Sequence, residues 1–246
     1  MLVVGPQTER ISQVKKELMH AFQMQDMGAA TYFLGVRIVR NRAERSITLI
    51  QDAYIEKILT KYGMQDAKPT STPMQLGALN LMVINPNQAT KGDIEEYQSK
   101  MGSITYLAIQ TRSDIAFECS VLSGFLTNPS QNHMNAANWL LRYIKGTQEL
   151  GVQYGGKALA NNTGTLHGYS ASDFAGDSEG PLSLAENPEF HQRTKHIGVK
   201  YHYIREERAK GLIKLWYCPT RDMKADGLTK ALGGGGVLNI RGLYTN

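Results

Sequence analysis

The chain predicts an α+β fold. Near its start, two short β-prone runs flank a charged turn, and its middle carries three successive apolar stripes at helical spacing joined by short loops. After residue 150, strand-like and helix-like segments alternate, which adds a second mixed region.

Taken in order, Thr8 sits where it can cap a helix whose apolar residues Ile11, Val14, Leu18 and Phe22 recur at three and four residues. Lys15 and Lys16 face outward, so this is expected to be a surface helix packed on a sheet. Tyr32 to Val39 and Ser46 to Gln51, separated by the charged stretch Arg40 to Arg45, read as two strands of a hairpin. Asp52 can then cap a helix carrying Ile55, Ile58, Leu59 and Tyr62, which Gly63 closes in the left-handed conformation. The stretch from Pro69 to Lys91, rich in Pro, Asn, Thr and Gly, reads as a linker.

Asp93 with Glu96 three residues later forms a capping-box-like start for the stripe Ile94, Tyr97, Met101, Ile104 and Leu107. Gly102 disfavours that helix, so close backbone packing is expected there. Ser113 opens a helix with Ile115, Cys119, Leu122 and Leu126, ended by Asn128-Pro129. Ser130 opens another with Met134, Ala137, Leu141 and Ile144, ended by Gly146, and three helices with short loops make a bundle. Further on, 151–155, 166–174 and 212–218 read as strands, His191 to Lys210 as a helix ended by Gly211, and Asp222 to Leu232 as a short capped helix. Gly233 to Gly236 reads as a break; it lacks the Lys and Ser or Thr of a P-loop.

At 246 residues and 41% hydrophobic the chain is long enough to bury a core. Its net charge of +5 and pI near 9.1 favour a polyanionic partner, yet fit an ordinary basic protein equally well. Cys119 and Cys218 are too few and too far apart for a disulfide framework or a zinc site, which sets a reducing intracellular compartment as the expectation, cytoplasm or nucleus being open. No apolar run approaches the roughly 18 residues of a membrane span, and no charged leader precedes a signal-type core, so neither a membrane partner nor secretion is expected.

Tyr32-Phe33-Leu34-Gly35, Gln51-Asp52-Ala53-Tyr54-Ile55 and Thr72-Pro73-Met74, in this order, are similar to the end of the polymerase palm in the C-terminal reverse transcriptase and ribonuclease H region of the copia-type LTR retrotransposon Pol polyprotein. Tyr97, the run Gly102 to Ala108, the triplet Arg112-Ser113-Asp114 and Leu141-Arg142-Tyr143-Ile144-Lys145-Gly146-Thr147 resemble the helical thumb and connection. Tyr169-Ser170-Ala171-Ser172-Asp173-Phe174 and Lys195-His196-Ile197-Gly198 resemble two parts of the ribonuclease H domain, with the middle of that domain absent between them. The resemblance implies the end of the palm over 1–75, the thumb and connection over 76–150, and a truncated ribonuclease H-like domain over 151–246.

Both activities of the family need carboxylates that hold two Mg²⁺ ions. The family's Tyr-Val-Asp-Asp turn would lie just ahead of Met1-Leu2-Val3-Val4-Gly5, so neither aspartate of the polymerase dyad is expected here. In the ribonuclease H motif Ala171 stands at the metal-binding position, and Gly198 stands where the last acidic residue is expected. Asp173 is a possible vestige: strand alternation points it to the same side as Ala171, one pleat on, where a solvated carboxylate is the commoner outcome. The expectation is therefore a catalytically inactive remnant, with no Mg²⁺ site and no small-molecule substrate. The alternative is a non-catalytic protein that binds an RNA/DNA hybrid or other nucleic acid weakly through Phe33, Leu34, Gly35, Arg142 and Lys145.

Three other patterns carry less. Gly176 to Gly180 matches a nucleophile elbow, but Pro181 replaces the helix an elbow needs. His191, His196 and His202 are spaced five and six apart, so they do not share a helix face as zinc ligands four apart would. The basic set from Arg193 to Lys214 is interrupted by Glu206 and Glu207 and fits a solvated helix face as well as a phosphate track.

Overall fold

The computed structural model describes residues 1–156, 168–169, 206–219 and 222–232. These form a mixed α+β structure: an antiparallel sheet followed, and then rejoined, by a bundle of helices.

Helix α1 spans Thr8–Ala21. Its N-cap is Gln7, without a side-chain bond, and Thr8 is the first helical residue rather than the cap. Ile11, Val14 and Leu18 are half-buried, Phe22 is 62% exposed, and among the described residues α1 buries none of its own, so the expected packing on the sheet is not seen there. The stripe specifies helix without supplying a surface to cover it.

The sheet has strands β1 (Tyr32–Phe33), β2 (Val36–Asn41), β3 (Ser46–Ile50) and β4 (Val152–Gly155), in that spatial order and antiparallel throughout. The single strand expected from Tyr32 to Val39 is two strands, because Leu34 and Gly35 take φ of 50° and 80° and turn the chain back. Two successive positive φ values make a hairpin turn whose twist suits the flanking strands. β2 and β3 pair from Arg37↔Ile50 to Asn41↔Ser46, as the hairpin reading requires. β4 then lies against β3, close enough that a Cβ on Gly151 would stand 2.1 Å from the Leu49 carbonyl oxygen and one on Gly155 2.2 Å from that of Arg45.

Helix α2 (Asp52–Lys61) follows β3 directly. Asp52 is its first residue, and its carboxylate accepts the Ala53 N–H at 2.9 Å instead of capping from outside. Its far end closes on Gly63 at φ 65°, with Gly63 N–H donating to the Thr60 carbonyl and Met64 N–H to that of Leu59. That is the left-handed closure expected of this glycine.

The start of the stretch read as a linker, together with the residues 65–68 before it, is strapped to helix α5 (Gln131–Gly146). Trp139 Nε1 donates to the Thr72 carbonyl at 2.9 Å, Arg142 Nε to that of Lys68 at 2.6 Å, and Lys145 Nζ to those of Gln65 and Ala67. Further along, Asn128 Nδ2 donates to the carbonyls of Asn85 and Asn87, while Asn85 Nδ2 donates to that of Pro129. Residues 78–81 form one turn of 3₁₀ helix.

Helix α3 (Lys91–Gln110) is capped by Thr90, not Asp93: Thr90 Oγ1 accepts the Asp93 N–H and the Asp93 carboxylate accepts the Thr90 N–H. This box ends on Asp93, where the sequence reading began one. Gly102 is exposed with nothing within 4 Å of the position a Cβ would take, so it makes no close packing. A 3₁₀ turn at Ser113–Ile115 leads into helix α4 (Ala116–Ser123), shorter than the expected run to Asn128. Ser130 precedes α5 as expected, and its N–H is accepted by His133 Nδ1 at 2.9 Å.

One core joins α2 to the bundle. Ile55, Ile58 and Leu59 pack with Tyr97, Met101, Ile104 and Leu107 of α3, Cys119 and Leu122 of α4, and Leu140, Leu141 and Ile144 of α5. A fully buried Leu or Ile side chain contributes about 1.5–3 kcal/mol, so this cluster dominates the stability of the described chain.

Toward the C-terminus, the helical turn at 206–209 ends at Gly211 (φ 73°), as expected. Residues 212–218 are irregular, not a strand, with Leu212, Trp216 and Tyr217 exposed; among the described residues nothing pairs with them. Instead of a helix capped by Asp222 there is a 3₁₀ turn, Lys224–Leu228, whose Ala225 and Asp226 are buried against α4 and the 113–115 turn. Most of the expected strand at 166–174, the Gly176–Gly180 turn, His191, His196, His202 and the Gly233–Gly236 break lie outside the described residues.

Candidate nucleic-acid interface

Two of the proposed contact regions are described, and they differ in kind. The Phe33-Leu34-Gly35 tip projects: Tyr32 is 55% and Leu34 78% exposed, and Leu34 is one of two described non-glycine residues with positive φ. A branched side chain in that region is strained by about 1–2 kcal/mol, so the turn persists because its surroundings hold it. Ile38 N–H donates to the Thr31 carbonyl at 2.7 Å, and Arg37 at the base of the tip binds Asp52 at 2.6 Å and Glu149 at 2.8 Å. These ion pairs tie β2 to the start of α2 and to the chain leaving α5.

Arg142 and Lys145 lie one turn apart on α5, but their head groups face the 65–68 carbonyls, and Arg142 also lies 4.8 Å over the Trp139 ring. They position the strap. The structure therefore does not bring the tip and these two residues together through any described contact.

Beneath this surface lies a buried polar cluster built on the Arg112-Ser113-Asp114 triplet. Arg112 is completely buried and binds both Asp114 oxygens at 2.8 Å, the Thr147 carbonyl at 3.0 Å and its hydroxyl at 2.7 Å. Tyr143 donates to Asp114 at 2.8 Å. Glu118, on α4 four residues after Asp114, is 2% exposed, and its Oε2 has no hydrogen-bond partner among the described residues. Burial, with the Asp114 charge adding to it, pushes the Glu118 carboxyl up to about 8. Burial likewise raises the Cys119 thiol to about 12, so it is an inert core thiol.

His133 is another buried group without a sequence expectation. Its ring stacks on Phe125 with centroids 3.8 Å apart, and burial lowers its pKa, the Val83 carbonyl opposing in part without closing a hydrogen bond to Nε2. The signal was its place three residues after Ser130, where a capping-box partner stands. For Glu118 the signal was an acid on the apolar stripe of a short helix.

Ala171, Asp173 and Gly198 lie outside the described residues. Among the described residues no group of three or more His, Cys, Asp or Glu is arranged to hold a metal ion, and no helix is long and apolar enough to cross a membrane.

The reverse transcriptase (RNA-dependent DNA polymerase) family profile matches residues 1–76. The chain is 30% identical to a retrovirus-related Pol polyprotein from transposon TNT 1-94 of Nicotiana tabacum, over 94% of this chain and 23% of that protein. It is 27% identical to the corresponding polyprotein from transposon RE1 of Arabidopsis thaliana, over 94% and 20%. An uncharacterised mitochondrial protein of Arabidopsis thaliana is 30% identical over 72% of this chain and 69% of its own length. The chain thus spans about a fifth to a quarter of the Pol polyproteins it matches. The tobacco alignment runs over 306 residues, whereas 94% of 246 is about 231, so some 75 aligned positions have no counterpart here. The mitochondrial alignment, 176 residues over 72% of the chain, shows no such shortfall. No solved structure matches.

Proposed function

The chain belongs to the copia-type retrotransposon Pol family, and from that premise we propose that it is a catalytically silent derivative of the reverse transcriptase and ribonuclease H region. The observation that carries this reading is chemical: Ala171 and Gly198 stand at positions where the family motif has carboxylates. Mg²⁺ takes hard oxygen ligands in near-octahedral geometry, and neither side chain supplies one. The donor set does not fit the family's metal pair. The 75-position shortfall against the tobacco polyprotein supports the same reading, since it is consistent with loss of the block that carries the remaining ribonuclease H acids. On this reading, residues 1–75 are the end of a palm, 76–150 a thumb and connection, and 151–246 a truncated ribonuclease H-like domain.

A second reading, a non-catalytic nucleic-acid binder, is favoured by the Leu34–Gly35 tip, where a strained turn held by its surroundings leaves Tyr32 and Leu34 exposed. Its proposed contacts are Phe33, Leu34 and Gly35 and, separately, Arg142 and Lys145, whose head groups would have to leave the 65–68 carbonyls to reach a phosphate, and its partner is an RNA/DNA hybrid. Salt titration of hybrid binding separates the two readings. Phosphate contacts give a log–log slope of about −0.7 to −0.9 for each phosphate neutralised, and no measurable binding leaves only the silent remnant.

A further inference from the structure

We propose that the end of β2 and the loop joining it to β3 form a phosphate-contact site, in which Arg40 of the strand and Arg42 and Arg45 of the loop grip the backbone of a nucleic acid strand. This rests on the nucleic-acid-binding reading above and assigns it a surface away from the Leu34 tip.

Three observations converge. All three arginines are exposed, and among the described residues no ion pair holds any of them. Five other cations are committed: Arg37 to Asp52 and Glu149, Arg112 to Asp114, Lys100 to Glu96 and Asn138, and Arg142 and Lys145 to strap carbonyls. Glu44, the one acid in the loop, is half-buried and has an interaction of its own, which leaves three cations to one anion.

The loop is also held in one shape. Asn41 Oδ1 accepts the Glu44 N–H at 3.1 Å, Arg45 N–H donates to the Arg42 carbonyl at 3.3 Å, and Gly156 N–H donates to the Arg45 carbonyl at 3.3 Å. Arg45 has φ 54°, making it with Leu34 the pair of described non-glycine residues in the left-handed region. A cation kept in a strained backbone by the strand beside it is pre-organised, which lowers the ordering penalty on binding. Guanidinium forks match phosphate oxygens in pairs, and such contacts position a duplex without reading its sequence. The six residues of β2 separate this loop from the Leu34 tip, roughly 20 Å at about 3.3 Å per residue, or about six base steps of a duplex at 3.4 Å. Both ends of β2 can therefore meet one hybrid.

The test is the salt dependence of binding of a fluorescent RNA/DNA hybrid to the full chain and to an R40A/R42A/R45A variant, with unchanged far-ultraviolet dichroism confirming folding. The variant is expected to bind about tenfold more weakly at moderate salt, with a slope shallower by about 2 to 3. An R40K/R42K/R45K variant should recover most of the slope, because the charges return without the forks. Wild-type binding that the triple alanine leaves intact overturns the site while sparing the nucleic-acid reading. Absence of wild-type binding overturns both. Displacement by polyglutamate as effective per charge as by hybrid overturns a nucleic acid as the partner.

Discussion

Arg112 and Asp114, two residues apart, face each other through two parallel 2.8 Å bonds with neither side chain reaching solvent. Removing one partner strands the other charge in the core, which typically lowers stability by about 3–5 kcal/mol. Asp114→Asn and Arg112→Met should each fall in that range by urea denaturation. The double variant should lose less than the sum, since neither charge is then left alone.

Glu118 should make the protein less stable as pH rises. Its folded pKa, about 8, lies above the 4.5 of the free side chain, so its favourable contribution is complete below 4.5, fades as pH climbs toward 8 and is gone above it. Glu118→Gln keeps the shape and cannot ionise. Its advantage over wild type should grow from pH 5 to 8 and then level off, reaching on the order of a few kcal/mol. Equal pH profiles for the two proteins would refute the buried neutral acid.

His133 acts in the opposite sense. Its folded pKa is below the free value of 6.5, so stability is full above 6.5 and is lost as pH falls through the folded pKa. Protonated Nδ1 cannot accept the Ser130 N–H, so α5 should fray first at its start, beside the Asn85–Asn128 lock. His133→Gln preserves an acceptor at that position and does not titrate; its denaturation midpoints between pH 5 and 7 should be flatter than wild type.

The helical bundle was legible because Tyr97, Met101, Ile104 and Leu107 recur at the helical period and are buried as that period demands. The Leu34 turn was not, since no propensity places leucine at positive φ; only pairing with Val36 and Arg37 holds it there. Residues 212–218 have strand composition, but a strand exists only beside another, and composition carries no partner. For the interface, Arg142 and Lys145 were visible as cations, while the carbonyls that engage them come from residues nearly 80 positions earlier.

β4 should be the most sensitive part of the sheet to added volume. A methyl on Gly151 meets the Leu49 carbonyl oxygen, and one on Gly155 meets that of Arg45 while also facing φ 80°. Gly151→Ala and Gly155→Ala should each destabilise by about 1–3 kcal/mol. Amide exchange should quicken across β3 and β4 and stay slow in α3 and α5, whose core does not depend on that strand.

Restoring a carboxylate should not restore chemistry. Purified protein is expected to show no primer extension and no cleavage of an RNA/DNA hybrid with Mg²⁺ or Mn²⁺, and Ala171→Asp should behave the same. Two-metal catalysis clamps the attacking and leaving oxygens between ions about 3.5–4 Å apart, and one returned ligand cannot hold both. On the proposed reading, adding Gly198→Asp returns a second family position and should still fail, because the remaining acids of the family's ribonuclease H domain are not supplied. The informative control is Asp173→Ala. Wild-type cleavage that disappears in this variant would show that Asp173 serves as a ligand and would overturn the proposed inactive reading.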